Sequence, residues 1–410
     1  MPSLASARCY IPILAATAAG FSTAFVLFRK NPLAALLSFS GGDFNSMAAL
    51  LIVGAPILLI ASTKTVPFPD RWGLFAFFGI GWAAVSVGVN QGIESVTAPL
   101  VAMVMLALGA IISFFVPSGG KKLLLWGPSA LFLVHQFVTT LFQGPLPGGF
   151  FGQGTGSIAF GHLMAVGFLL SYLASLNFAQ HANLCFAVSG VFMVGVMLSG
   201  SRGALFGLLV GLSLIQLGIL FEKSVRAVLH ELKKISFLLI LTVFPFFLPP
   251  SLLPNQQRTP IIQRKLTQTF EQSEEYGSFH VQIYTAGRLE IWAETFGKFK
   301  SPLDAIIGTG HSSIETAFGV TYPHNLFLEL LLIGGLLSLV PFFLFLIGVF
   351  RKTFGQGIMN GFEFFILAAT VGVFSMFSGD LTYNAIFFYL LGLAYGQILK
   401  KAGSSRRSTR

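Results

Sequence analysis

Residues 324–350 read HNLFLELLLIGGLLSLVPFFLFLIGVF, and this stretch decides the fold class. Glu329 is its one charged side chain. A helix needs about 20 mostly apolar residues to cross the hydrocarbon core of a bilayer. The stretch is therefore predicted to be a transmembrane helix.

The composition extends this prediction to the whole chain. Of the 410 residues, 54% are hydrophobic and only 10% are charged. Soluble globular proteins carry about a quarter of their residues as charges, so an ordinary soluble enzyme and a disordered protein are both excluded. The net charge of +10 is not taken as a sign of a nucleic-acid partner. Cys9 and Cys185 lack metal-ligand spacing and are expected to be packing residues.

Apolar runs separated by charge, Gly and Pro predict an all-α polytopic membrane protein with about 12 transmembrane helices. The predicted spans lie near residues 10–28, 46–62, 73–90, 95–116, 123–142, 157–176, 182–198, 203–221, 235–253, 324–350, 361–379 and 382–399. The first run is expected to be a retained helix rather than a cleaved signal peptide.

The positions of the basic residues predict the orientation. With 12 spans, both termini lie on one side, and 16 of the 25 Lys and Arg residues fall on that side. The short connections on the other side carry only Arg29, Lys30 and Arg202. Basic residues in short loops face the cytoplasm, so both termini are predicted to be cytoplasmic.

This topology divides the chain into four parts. Residues 1–253 hold spans one to nine, 254–323 form a large outer segment, 324–399 hold spans ten to twelve, and 400–410 are a basic cytoplasmic tail. Within the outer segment, residues 261–270 place apolar positions opposite Arg264, which is typical of a helix on the membrane surface. A second amphipathic helix is predicted between Gly287 and the Ser301-Pro302 pair.

Few ionisable residues lie well inside the predicted spans, and the chain shows no repeated half. The few are His135, His162, Glu329 and Glu363. An ion-coupled transporter is expected to have buried charged relays and repeats, so this class is disfavoured. Polar residues that could perform chemistry gather instead at the outer helix ends.

The first such group is SGSRG, residues 199–203, a short connection that puts Arg202 at the outer surface. A guanidinium there can bind a lipid-borne phosphate through two hydrogen bonds. The alternative is an interfacial anchor that reaches toward lipid headgroups. Gly203, Gly207 and Gly211 follow at steps of four and indicate close helix packing.

The second group is GRLEIW, residues 287–292. Arg288 starts the amphipathic helix, and Trp292 is typical of an interfacial anchor that could aim this arginine at the membrane. The alternative is a solvated charge, or an ion pair with Glu290 or Glu294.

The third group is YPHN, residues 322–325, directly before the long apolar helix. Pro323 prevents helix upstream, so His324 and Asn325 are predicted at the amino end of that helix. Helix amino ends favour bound anions and disfavour imidazolium. A neutral His324 could accept a proton from a hydroxyl as a general base. The alternative is a histidine that only caps the helix.

Other polar residues have open roles. His162, His280 and His311 could assist, but none has carboxylate or Cys partners at metal-ligand spacing, so no metal is expected. Asp380 could reach the outer site or hydrogen-bond a nearby side chain.

Taken together, these stretches resemble the O-antigen ligase and polymerase superfamily of bacterial inner-membrane glycosyltransferases, which are of the GT-C type. The resemblance lies in SRGA at 201–204, GRLEIW at 287–292 with GTG at 308–310, and PHNL at 323–326 followed by GGL at 334–336. It covers residues 199–338, roughly the second half of the chain, whereas the first half is similar only in hydropathy.

The resemblance implies a glycosyltransferase that needs neither metal nor cofactor and acts at the periplasmic face of the inner membrane. It implies transfer of a glycan from undecaprenyl pyrophosphate to a hydroxyl, and direct displacement would invert the anomeric centre. Arg202 and Arg288 would hold the pyrophosphate, and His324 would activate the acceptor hydroxyl or orient the phosphate. Arg264, Tyr322 and Asn325 are further candidates for substrate binding.

Within the superfamily we favour a ligase, whose acceptor is the lipid A core in lipopolysaccharide assembly, because the signature around Arg288 and His324 is closer to that branch. The alternative is an O-antigen polymerase that joins lipid-linked repeat units. A protein O-oligosaccharyltransferase is a third branch. A lipid-linked oligosaccharide flippase would need a charged cavity open to both sides, which the charge distribution disfavours.

Overall fold

A computed structural model of the chain describes residues 69–115, 157–199, 201–243, 288–311, 314–316, 319–321, 323, 325–376 and 384–408. These residues form eleven α-helices and one two-stranded hairpin. The helices are α1 (Arg71–Gln91), α2 (Thr97–Phe115), α3 (Ser157–Asn177), α4 (Ala182–Ser199), α5 (Arg202–Glu222), α6 (Val225–Val243), α7 (Arg288–Gly297), α8 (Pro302–Ile307), α9 (Leu326–Phe354), α10 (Phe362–Ser375) and α11 (Ala385–Ser408). The antiparallel hairpin pairs β1 (Ile314–Thr316) with β2 (Gly319–Thr321).

The helical membrane character predicted from the sequence is confirmed. Five described helical segments are long and apolar enough to cross a membrane, and two shorter ones are also apolar. The five are Arg71–Gln91, Ala98–Phe115, Ala179–Val196, Gly203–Glu222 and Leu326–Phe354, and the shorter ones are Met164–Asn177 and Phe362–Ser375. The predicted spans 10–28, 46–62 and 123–142 lie outside the described residues, so the total of 12 stays a prediction.

Helix α6 begins at Val225, before the predicted span at 235–253, so the position of this span stays a prediction. The first turns of α6 carry charged residues that the hydropathy pattern had placed in a loop. Glu231 is buried, accepts a hydrogen bond of 2.8 Å from the Tyr172 hydroxyl and lies 2.7 Å from the Lys234 ammonium. Because these charges have partners, the helix tolerates them. Residues 244–253 lie outside the described part.

Glycines allow the closest helix contacts. A Cβ on Gly207 would lie 2.1 Å from the Phe374 ring, and one on Gly211 would lie 2.5 Å from the Thr370 hydroxyl, so α5 packs tightly on α10. The predicted packing role of these two glycines is confirmed. A glycine also allows α2 and α11 to pack closely, because a Cβ on Gly392 would lie 2.2 Å from the Leu106 carbonyl oxygen.

Contacts at the helix ends show which helices run in the same direction. The rings of Phe221 and Phe354, near the ends of α5 and α9, lie 5.1 Å apart, and Glu222 accepts a hydrogen bond from the Ile358 N–H. Both helices finish at this level, which we call the Glu222 end. They therefore start toward the opposite end, which we call the Arg202 end.

Candidate functional site

The backbone places the three sequence-predicted catalytic residues at or beside helix starts. Arg202 and Arg288 are the first residues of α5 and α7, and α9 begins at Leu326, two residues after His324. The side chains of Arg202 and Arg288, and the whole of His324, lie outside the described part of the structure. Because α5 and α9 run in the same direction, Arg202 and the start of α9 belong to the Arg202 end.

A direct hydrogen bond connects two of these three stretches. The Trp292 indole N–H donates to the Pro323 carbonyl oxygen over 3.0 Å. Trp292 lies one helical turn after Arg288, and Pro323 directly precedes His324. The structure thus connects α7, which begins at Arg288, to the residue that directly precedes His324.

Helix α9 is broken near the Arg202 end. Gly335 has φ 62° and ψ −159°, which interrupts the helix and leaves a short amino-terminal segment, residues 326–334. Asn325 caps this segment, because its side-chain oxygen accepts the N–H groups of Phe327 and Leu328. We call residues 326–334 the half-helix. His324 immediately precedes its cap.

The loop at residues 308–310 supplies hydrogen bonds to the end of the half-helix. Thr309 donates to the Leu332 carbonyl oxygen twice, from its N–H over 2.8 Å and from its hydroxyl over 2.9 Å. The Gly310 N–H donates to the Ile333 carbonyl oxygen over 3.0 Å. Both carbonyl groups lie just before the break at Gly335. Because the helix is interrupted there, their oxygens need hydrogen-bond donors from outside the helix. The two glycine-rich motifs therefore bind each other.

The loop at residues 308–310 and the end of the half-helix with its break, residues 332–335, meet in a contact that we call the junction. Glycine is required on both sides of it. Gly308 has φ 86°, and a Cβ there would lie 2.1 Å from the Ile333 carbonyl oxygen. A Cβ on Gly335 would lie 2.4 Å from the Ile306 carbonyl oxygen. Both backbones would have to separate to admit a side chain, and both positive φ values disfavour other residues.

Helix α1 supplies junction residues that the sequence reasoning missed. The Trp82 indole N–H donates to the Ile307 carbonyl oxygen over 3.1 Å, and the Ser86 hydroxyl donates to the Ile333 carbonyl oxygen over 2.7 Å. Asn90 packs against Gly310. Trp82, Ser86 and Asn90 recur at steps of four, so they share one helix face. That polar spacing inside an apolar span was the signal available in the sequence.

Helix α8 leads into the junction and has a well-formed start. The Asp304 carboxylate accepts the N–H groups of Lys300 and Ser301, and the Ser301 hydroxyl accepts the Asp304 N–H. This is the capping box of an amino terminus. The hydrogen bonds from Ser301, with a smaller contribution from Lys300, hold the pKa of Asp304 below its ordinary value.

Of the three further substrate-binding candidates, the structure describes only Asn325. Asn325 is buried and its side-chain oxygen is engaged as the helix cap, so a structural role is established and its substrate contact stays a prediction. Of the other two substrate-binding candidates, Arg264 and Tyr322, neither lies in the described residues.

Two histidines have defined surroundings. His162 stacks on Phe374 with ring centroids 4.2 Å apart. His311 is exposed, and its Nδ1 lies 3.0 Å from the Gln91 amide nitrogen, which places it beside the junction. His280 and Asp380 lie outside the described residues.

One known family model matches part of the chain. Residues 186–343 match the family model described as O-antigen ligase. This match supports membership of the O-antigen ligase and polymerase superfamily. No curated protein and no solved structure matches it.

The superfamily match has direct consequences for the site. The matched residues include Arg202, Arg288 and His324, together with the junction residue Thr309. Members are glycosyltransferase-like enzymes of O-antigen and lipopolysaccharide assembly, whose partners are lipid-linked glycans and lipids. Together with the apolar helices, the match indicates a multi-pass membrane protein.

Proposed function

We propose that this chain is an O-antigen ligase of the bacterial inner membrane. It transfers a glycan from undecaprenyl pyrophosphate to a hydroxyl of the lipid A core at the periplasmic face. Both termini then lie in the cytoplasm, and the Arg202 end faces the periplasm. The bond from Trp292 to Pro323 supports this proposal most directly, because it joins the Arg288 and His324 stretches.

The proposed reaction is one displacement at the anomeric carbon. The acceptor oxygen forms a bond to that carbon while the bond from carbon to pyrophosphate oxygen breaks. His324 accepts the proton of the acceptor hydroxyl, which makes the oxygen a better nucleophile. Attack opposite the leaving group inverts the anomeric configuration.

The leaving pyrophosphate gains negative charge as the bond breaks. Arg202 and Arg288 are proposed to bind it, because a guanidinium can form two parallel hydrogen bonds with phosphate oxygens. Preorganised cationic donors stabilise such charge without a metal. Arg264, Tyr322 and Asn325 are proposed to complete the substrate contacts.

The deciding experiment is a transfer assay with purified protein in liposomes. An undecaprenyl-pyrophosphate-linked glycan is offered with either lipid A core or a second lipid-linked unit as acceptor. Product on the lipid A core supports a ligase, and a lengthened lipid-linked glycan shows a polymerase instead. Arg288→Ala and His324→Ala should each abolish transfer while the protein stays inserted. Near-normal transfer by either variant removes that residue from the mechanism.

Metal independence is tested in the same assay. Addition of a chelator should leave the turnover rate unchanged. A loss of activity that a divalent ion restores would contradict the proposed metal independence.

A further inference from the structure

We propose that Thr309 is a positioning residue that holds the half-helix, and with it His324, in the orientation needed for transfer. This inference rests on the proposed function. Thr309 does not have to touch the substrate to act in this way. It acts through hydrogen bonds to the opposite end of the half-helix from His324.

The break at Gly335 makes the half-helix a separate rigid unit. Its nine residues span about 13 Å at the helical rise of 1.5 Å per residue. The non-helical backbone at Gly335 interrupts the regular hydrogen bonding to the rest of α9. Buried side chains such as Leu330 and Ile333 pack it into the core, and hydrogen bonds at the break and at its cap add to this packing in setting its orientation.

Thr309 donates two hydrogen bonds to one carbonyl oxygen of the half-helix. Its N–H and its hydroxyl both donate to the Leu332 oxygen, over 2.8 and 2.9 Å. Two donors from one residue fix both the distance and the rotation of the acceptor. The Ile333 oxygen is held similarly by the Gly310 N–H and the Ser86 hydroxyl.

The second fixed point lies at the other end of the half-helix, where Trp292 binds Pro323. A small rotation at the Leu332 end would move the residues around the cap, because a helical segment of this length is stiff. Misplacement of a reacting group by about 1 Å can cost up to about 100-fold in rate. Other contacts remain when the Thr309 hydroxyl is removed, so we expect a smaller loss.

The test compares Thr309→Val with Thr309→Ser in the liposome assay. Valine removes the hydroxyl, keeps the backbone N–H and has nearly the same shape. We expect kcat to fall about tenfold, which is the effect of about one hydrogen bond, with KM for the lipid-linked donor within about twofold of the wild type. Serine restores the hydroxyl, and its kcat should stay within about twofold of the wild type.

Thr353, at the carboxyl end of α9, provides a matched control. The Thr353 hydroxyl donates to the Val349 carbonyl oxygen over 2.7 Å. Thr353→Val removes a comparable hydrogen bond far from the half-helix and should leave kcat unchanged. Ser86→Ala removes the parallel bond to Ile333, so it should lower kcat without raising KM and provides a second variant if Thr309→Val does not fold.

The outcomes separate this inference from the proposed function. Wild-type kcat for both Thr309→Val and Ser86→Ala would overturn the positioning role, and so would a rise in KM alone. Full activity of His324→Ala would overturn the positioning role as well, because His324 would then have no part in transfer. Product on the second lipid-linked unit alone would instead overturn the proposed ligase function, and the effect of Thr309→Val on kcat could still be measured in that reaction. Loss of transfer in His324→Ala, with the kcat effect in Thr309→Val and its recovery in Thr309→Ser, supports both.

Discussion

Trp292 and Pro323 are joined by a hydrogen bond of 3.0 Å between an indole N–H and a backbone carbonyl oxygen. This bond fastens α7, which begins at Arg288, to the residue before His324. The sequence had suggested an interfacial anchor for Trp292. In the structure Trp292 also connects the Arg288 stretch to the His324 stretch, and both are proposed to bind one substrate.

Removal of this bond should slow transfer. In Trp292→Phe an aromatic ring remains and the N–H is lost, so the Pro323 carbonyl loses its donor. We expect transfer to fall about fivefold, since a hydrogen bond between partly buried groups contributes about 1 kcal/mol. The measurement is the initial rate in the liposome assay at equal amounts of inserted protein.

Trp72 provides the control for this substitution. Its indole nitrogen is buried at the Glu222 end and has no hydrogen-bond partner among the residues that the structure describes. Trp72→Phe makes the same chemical change without loss of a bond, so its transfer rate should equal that of the wild type. Equal rates for Trp292→Phe and Trp72→Phe would show that the bond to Pro323 has no effect on activity.

Arg202→Lys tests whether Arg202 binds phosphate through paired hydrogen bonds. Lysine keeps the charge but cannot form the two parallel bonds of a guanidinium. We expect a loss of more than about tenfold in kcat/KM for the lipid-linked donor, since a charge-assisted hydrogen bond contributes about 1.5 to 3 kcal/mol. Full activity of the lysine variant would support a simple interfacial anchor. The measurement is donor titration at saturating acceptor.

The sequence predicted much of the fold because apolar runs, charges and helix caps are local signals. Pro323 and Asn325 marked the start of α9, which the structure confirms. Hydropathy did not show that α6 begins at Val225, because Glu231 is paired with Tyr172 and Lys234 inside the fold. A pattern along the chain does not show such long-range partners.

The candidate site was predictable only in part, for the same reason. The motifs at residues 308–310 and 334–336 were visible, but their contact with each other depends on the break at Gly335. The contribution of Ser86 depends on how α1 packs against α9. Neither packing nor the break follows from residue spacing, so the junction became clear only in three dimensions.

Gly335→Ala should destabilise the junction. A Cβ there would approach the Ile306 carbonyl oxygen, and φ of 62° is unfavourable for alanine. A positive φ costs a non-glycine residue about 1–2 kcal/mol before any steric clash is added. We expect a lower Tm in detergent and reduced transfer. Gly81→Ala is the control, because no atom of the described part of the chain lies within 4 Å of a Cβ at Gly81 and alanine favours helix there. A Tm for Gly335→Ala as high as that of the control would contradict the strained junction.

The Glu222 end contains a charged cluster that should make stability depend on pH. The Asp70 carboxylate accepts a hydrogen bond of 2.8 Å from the Tyr395 hydroxyl and lies 3.1 Å from the Lys352 ammonium. It also accepts the N–H groups of Trp72 and Gly73. Burial alone would raise the pKa of Asp70. The hydrogen bonds from Tyr395, Gly73 and Lys352 outweigh burial and hold the pKa below its ordinary value.

Because the pKa of Asp70 is lower in the folded protein, its charge stabilises the fold above the unfolded pKa of about 3.9. This contribution is lost as the pH falls through the folded pKa. Asp70→Asn keeps a good helix cap and removes the charge. We expect it to lower the free energy of unfolding by about 1 kcal/mol near pH 7, a modest value because Lys352 is partly exposed. The difference from the wild type should shrink as the pH falls below about 4.

Thermal unfolding in detergent at several pH values measures this dependence. Lys352→Met should lower stability near pH 7, and adding it to Asp70→Asn should have little further effect, because the pair is already broken. An equal loss for Asp70→Asn at pH 3 and pH 7 would show that the Asp70 charge does not stabilise the fold.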